Sequence, residues 1–163
     1  MRRVGLLAAE ILLALALAAP TLGAEGTGKP GVGAPWTDQA IIAAADRVLS
    51  AIPDDAYQID PAAAWRLFET GAPLVIDVRE QSAWQTERIS GTLQIALRDL
   101  PAKIDRLPSG RGEPIIVVCQ AGVHGTMAMT VLRMLGYTNV RNLRGGLNAW
   151  KAAGYPVVTY DTK

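Results

Sequence analysis

The clearest strand signal in the chain is Ile115-Ile116-Val117-Val118, four consecutive β-branched residues. A run of that kind reads as a central strand covered on both faces, because a strand with one wet face would alternate polar and apolar positions. Around it, short apolar runs alternate with stretches of helical spacing. Tyr57-Gln58-Ile59 predicts a short strand, and Asp60-Pro61 a cap followed by proline at the first helical position, opening a helix through Trp65, Leu67 and Phe68 to Gly71. Leu74-Val75-Ile76 predicts a buried strand ending at Asp77, residues 81–87 a weak helix, Leu93-Gln94-Ile95 a third strand and residues 100–107 a short helix. Past the central strand, residues 126–135 read as a helix with Met127, Val131, Met134 and Leu135 on its apolar side, stopped by Gly136. Val140 starts a last strand, residues 146–153 form a last helix, and Gly154 and Pro156 close the domain. Strand and helix in alternation predict an α/β fold of three layers, a mainly parallel five-stranded sheet flanked by helices, since parallel neighbours need crossover connections. Ligands of such sheets lie beyond the carboxyl ends of the strands, and Asp77 and Cys119 mark that edge here.

The N-terminal third has a different pattern. Ile41, Ile42, Ala45, Val48, Leu49 and Ile52 share one face of a predicted helix over residues 38–52, capped by Thr37 and ended by Pro53-Asp54-Asp55. This extra helix, within an extension over residues 37–56, is expected to pack on the outside of the domain through that stripe. Residues 25–36 hold four glycines among Pro30, Pro35 and other small or polar residues, and read as a flexible linker. Before it, Arg2 and Arg3 precede an apolar stretch with an unbroken run from Ile11 to Ala19, then Pro20 and the small residues Gly23 and Ala24. That order is the pattern of a secretory signal peptide over residues 1–24, cleaved near Gly23 or Ala24, and the run is shorter than the roughly 20 residues a membrane span requires. The expectation is a periplasmic or secreted protein without stable membrane insertion.

The 163-residue chain has room for one ordinary domain, here residues 57–160, and nothing in it repeats. Its net charge is +1, and loss of Arg2, Arg3 and Glu10 with the leader would leave basic and acidic residues in equal number. Nothing in that balance points to nucleic acid or an anionic membrane as partner, and a monomer is expected. One cysteine and one histidine exclude an internal disulfide and give no zinc-ligand set, so no metal and no organic cofactor is expected.

That single cysteine stands where chemistry is expected. Cys119-Gln120-Ala121-Gly122-Val123-His124-Gly125-Thr126 joins the central strand to a helix. A short glycine-bearing loop can turn its amide hydrogens inward around an anion, and the helix that follows adds its unpaired amides and the positive end of its dipole. A cysteine in such a cradle has its thiolate stabilised and becomes a nucleophile beside an anion site. Free cysteine is often simply buried, but packing alone accounts poorly for this placement.

Five segments, in order, resemble the rhodanese homology domain from about Tyr57 to Val158. They are Leu74 to Glu80, Arg88 to Ala96, Cys119 to Thr126, Gly136 to Val140, and Leu143 to Trp150 with its double glycine and tryptophan. The resemblance implies a thiosulfate sulfurtransferase: Cys119 takes the outer sulfur of a donor such as thiosulfate as a persulfide, then passes it to a thiol or cyanide-like acceptor. It also implies that Gln120, Ala121, Gly122, Val123, His124 and Gly125 form the substrate-binding loop. Asp77 and Arg79 are expected in support, Asp77 accepting hydrogen bonds from loop amides and Arg79 pairing with a carboxylate such as Glu80 or Glu87. Arg144, just before the double glycine, could also reach the site.

The chain departs from the family pattern. Gln120 and His124 occupy loop places that are basic in many relatives, and Arg88 and Ala96 replace a common histidine and proline. His124 is then the loop's one possible charge, and is expected either to meet the incoming anion or to face solvent at the helix start. A cysteine phosphatase would need arginine six places after its cysteine for a bidentate phosphate clamp, and that place is Gly125. A thiol–disulfide oxidoreductase would need a second cysteine. The remaining alternative is a non-catalytic sulfur-carrier or protein-binding module on the same fold.

Overall fold

The computed structural model describes residues 39–71 and 73–159. The expected leader, the linker and Thr37 lie outside the described residues. Among the described residues five parallel strands form the main sheet: β1 (Gln58–Ile59), β2 (Leu74–Asp77), β4 (Leu93–Gln94), β5 (Ile115–Val118) and β6 (Val140–Leu143), in the spatial order β1-β6-β5-β2-β4. The sheet is parallel throughout. Strand β5 holds the centre, with Ile76 of β2 beside Val117 and Val140 of β6 beside Ile115. Helices α2 (Pro61–Glu69), α3 (Gln81–Thr86), α4 (Val123–Met134) and α5 (Gly146–Ala152) follow their strands, and α1 (Gln39–Leu49) precedes them all. The expected α/β architecture, extra helix included, is the observed one.

The side-chain period of a strand, two residues, sorts the core into two layers. Ile115 and Val117 point to one face, where they meet Ile76, Ile95, Ala128, Met129 and Leu132. Ile116 and Val118 point to the other, against Val75, Ala64, Leu147 and Trp150. Trp150 is almost fully enclosed, packs edge-on against Trp65 and Phe68, and donates its indole N–H to the Pro156 carbonyl at 3.0 Å. Asp60 caps α2 by accepting the Ala63 amide at 2.8 Å. That hydrogen bond holds its carboxyl below the usual carboxylate range.

Several elements differ from their expected form. Helix α4 starts at Val123, three residues before the expected Thr126, because Gly122 at φ 97° turns the chain directly into it. The face it lays on the sheet is Gly125, Ala128, Met129 and Leu132, while Met127 and Leu135 are exposed. Small residues let the helix approach the sheet closely, so the larger hydrophobics fall outside. Residues 100–107 form 3-10 turns, Pro101–Arg106, after another at Leu97–Asp99. Two strands were not expected, β3 (Glu87–Arg88) and β7 (Val158–Thr159), which pair antiparallel. The stripe on α1 buries only Val48; Ile41, Ile42 and Leu49, with Ile52 beyond the helix end, stay exposed.

Candidate active site

Cys119 follows β5 and keeps its phase, so its side chain points to the same face as Ile115 and Val117, the face that α4 covers. The sulfur therefore lies under the first turn of that helix. The Gly122 amide donates to Cys119 Sγ at 3.0 Å. The amides of Val123, His124 and Gly125 open α4, where a helix has no internal acceptor for them. Cys119 is only 3 % exposed. It sits at the floor of the loop, since the strand that carries it is buried on both faces and the loop closes over its end.

The loop is held from three sides. From below, α5 docks on its carbonyls: Leu147 N–H donates to Cys119 O at 2.8 Å and Asn148 N–H to Gln120 O at 3.0 Å. Only glycine permits that approach at position 146, because a Cβ there would lie 2.3 Å from Cys119 O and the residue has φ 60°. Gly146→Ala is expected to destabilise the domain by on the order of 3 kcal/mol, combining overpacking with a left-handed backbone, and to shift the Cys119 amide in an NMR spectrum of the surviving folded fraction. From the neighbouring strand, buried Asn142 sets Nδ2 3.0 Å from both Gly122 O and Thr126 Oγ1 and 2.9 Å from Gln58 Oε1, three acceptors that share its two hydrogens.

The third side is Arg79. It is 6 % exposed and lies against Asp77, itself fully buried. Arg79 Nε and Nη2 donate to the Asp77 carboxylate, the shortest contact being 2.7 Å. Nη2 also donates to the Glu87 carbonyl at 2.7 Å, and Nη1 to Gln120 Oε1 at 3.1 Å. Gln120 Nε2 in turn donates to Asn148 Oδ1 at 2.6 Å. The expected partner for Arg79 was the Glu80 or Glu87 carboxylate. Asp77 takes that place, because two residues apart at a strand end the two side chains turn back to the same side, while Glu87 offers its carbonyl and its carboxylate pairs with Lys151. Asp77 accepts one loop amide, that of Arg79, at 3.0 Å.

Beside the loop is a cavity of about 320 Å³ lined by Val78, Arg79, Glu80, Leu97, Arg98 and His124. His124 is exposed on the first turn of α4 and faces this space. Gln120, Ala121 and Val123 are exposed as well, and Gly122 and Gly125 buried. Arg144 lines a different cavity, with Asp55, Asp60 and Arg141. Sequence reasoning brought together Cys119, the loop, Asp77 and Arg79. It missed Asn142, Asn148 and Arg98. Asn142 had a signal, a polar side chain within the otherwise buried strand β6; the other two had none.

Residues 60–153 match the rhodanese-like domain, more than half of the chain. The chain belongs to the rhodanese-like family. A sulfurtransferase of Allochromatium vinosum is 31% identical over 93 residues, covering 57% of this chain and 85% of that protein. A thiosulfate sulfurtransferase GlpE of Actinobacillus succinogenes is 28% identical over 102 residues, 63% of this chain and 90% of its own. In structure, a rhodanese-related protein from Thermoplasma volcanium has a TM-score of 0.56 at 29% identity, covering 62% of this chain and 96% of that one. A rhodanese-like domain from Anabaena has a TM-score of 0.58 at 28% identity, covering 64% and 80%. These rhodanese relatives support a sulfurtransferase activity in general terms, with sulfur donors and acceptors as the substrates. No helix among the described residues is long and apolar enough to cross a membrane.

Proposed function

We propose that the protein is a thiosulfate-type sulfurtransferase that carries sulfane sulfur on Cys119. The observation that carries this reading is the Gly122 amide aimed at Cys119 Sγ at 3.0 Å beneath the start of α4. Amide hydrogens fixed around a sulfur favour its anionic form, and do so without reorganising when charge develops. The Cys119 thiolate attacks the outer sulfur of thiosulfate. A bond forms between Sγ and that sulfur, the donor's own sulfur–sulfur bond breaks, and sulfite departs with the electron pair. The persulfide's terminal sulfur keeps one negative charge, which the amides of the loop residues Gln120 to Gly125 stabilise. A thiol or cyanide-like acceptor then attacks that terminal sulfur and returns Cys119 to its thiolate, a double-displacement cycle. The chemistry needs no metal or organic cofactor.

His124 borders the cavity through which the donor arrives and donates a hydrogen bond to it. His124→Ala is expected to raise KM for thiosulfate several-fold with a smaller change in kcat, as removal of a binding contact should; steady-state kinetics checks this. The whole reading is tested by incubating the protein with thiosulfate, removing excess reagent and weighing it intact. A gain of one sulfur atom, lost again on adding cyanide, supports the enzyme, and an unchanged mass favours the non-catalytic binding module. The N-terminal pattern adds export to the proposal: the mature protein is expected outside the cytoplasm with an N-terminus near Glu25, which N-terminal sequencing of the expressed protein checks.

A further inference from the structure

The loop over Cys119 has no arginine or lysine of its own, yet a thiosulfate donor carries two negative charges. Two guanidinium groups line the adjoining cavity, those of Arg79 and Arg98. Arg79 is spent: its three nitrogens are held by Asp77, the Glu87 carbonyl and Gln120. Arg98 is different. It stands in the 3-10 turn after β4, its side chain is 76% exposed, and among the described residues its ion pair is with Glu80 at 2.8 Å, whose side chain is 57% exposed. A pair so open to water adds little to stability, so its carboxylate is readily exchanged for another anion. The guanidinium fork matches the paired oxygens of a sulfonate-like group. His124 lies across the same cavity, on the helix that covers the sulfur.

We propose that Arg98 is the specificity-determining cation of this site: it binds the oxyanion end of a small doubly charged sulfur donor, with Glu80 as the internal competitor that the donor displaces. The cation that the loop lacks is thus supplied from the 3-10 turn that follows β4, two strands away from β5. Uncharged donors gain nothing from Arg98, and Glu80 holds the guanidinium when no dianion is present. This rests on the sulfurtransferase reading for its consequence in turnover, though the binding itself does not.

The test has two arms. In the first, Cys119→Ser protein, unable to react, is titrated with thiosulfate while the Arg98 Nε–H signal is followed by NMR. Saturable movement of that signal, abolished in Cys119→Ser/Arg98→Ala, supports the assignment, and a signal that stays put overturns it whether or not the protein transfers sulfur. In the second, steady-state kinetics compares donors. Arg98→Ala is expected to raise KM for thiosulfate about tenfold, to leave an uncharged organic trisulfide donor within about twofold, and to flatten the dependence of kcat/KM on salt. Arg98→Lys should recover part of the loss, and Glu80→Gln should lower KM for thiosulfate about two- to threefold. Equal losses for charged and uncharged donors would mean that Arg98 only shapes the turn, and would overturn the proposal. Wild-type protein that gains no sulfur from any donor, with the NMR shift intact, would remove the enzyme reading and leave the anion site standing.

Discussion

Asp77→Ala is expected to cost the fold about 3–5 kcal/mol, the loss usual when one partner of a buried ion pair is removed and the other stays behind charged. The side chains of Arg79 and Asp77 are 5% and 1% exposed, so water cannot take over the carboxylate's part. For a domain of this size the change corresponds to a fall in Tm of roughly 10–25 °C. Asp77→Asn should fall between the two, since an amide oxygen still accepts from the guanidinium but leaves its charge unbalanced. Urea unfolding followed by tryptophan fluorescence measures both, and a loss below about 1 kcal/mol for Asp77→Ala would show the pair to be dispensable. The effect reaches the chemistry as well. Arg79 is the residue that ties the strand end to Gln120, so at temperatures where the variant remains folded the loop over Cys119 should be less ordered and kcat lower.

Cys119→Ser should abolish sulfur uptake and reduce transfer from thiosulfate at least roughly a thousandfold, the scale of loss on removing a covalent nucleophile. The serine oxygen is a far poorer nucleophile toward sulfane sulfur, and no persulfide can form on it. It can still accept the Gly122 amide that now bonds the sulfur. Stability should therefore change by only about 1–2 kcal/mol, the cost of a buried hydroxyl with a partner. Intact mass after thiosulfate treatment and a thermal melt together separate the two effects. Retained sulfur uptake in the serine variant would move the chemistry elsewhere in the molecule.

The architecture was legible where one physical rule acted alone. Ile115 to Val118 could be read as the central strand because a continuous β-branched run of that length suits little besides a strand covered on both faces, and the position of Cys119 followed from it. The side of the sheet to which the sulfur points also follows from strand alternation. Errors arose where two rules competed. In α4 the apolar count favoured Met127 and Leu135, but close approach to the sheet favoured the small face through Gly125 and Ala128. In α1 the amphipathic stripe is real in the sequence, and only Val48 of it reaches the core. The pairing of β3 with β7 joins two-residue segments about seventy positions apart, too short for any periodicity to announce. Of the candidate site, Cys119, its loop and the placing of Asp77 and Arg79 at the same sheet edge could be found from residue type and position, but the pairing of Asp77 with Arg79 could not, since Glu80 or Glu87 was the expected partner. Arg98 could not, because its relation to Cys119 comes from the sheet order that sets β4 two strands away from β5.

Helix α5 lies near the end of the chain, yet it fastens the carbonyls of Cys119 and Gln120. During synthesis the ribosome must therefore release everything through Trp150 before the sulfur has its finished surroundings. A nascent chain stalled earlier would carry Cys119 without the two hydrogen bonds by which α5 holds its loop. The loop around Cys119 is thus among the last parts of the domain to be completed as the chain is made.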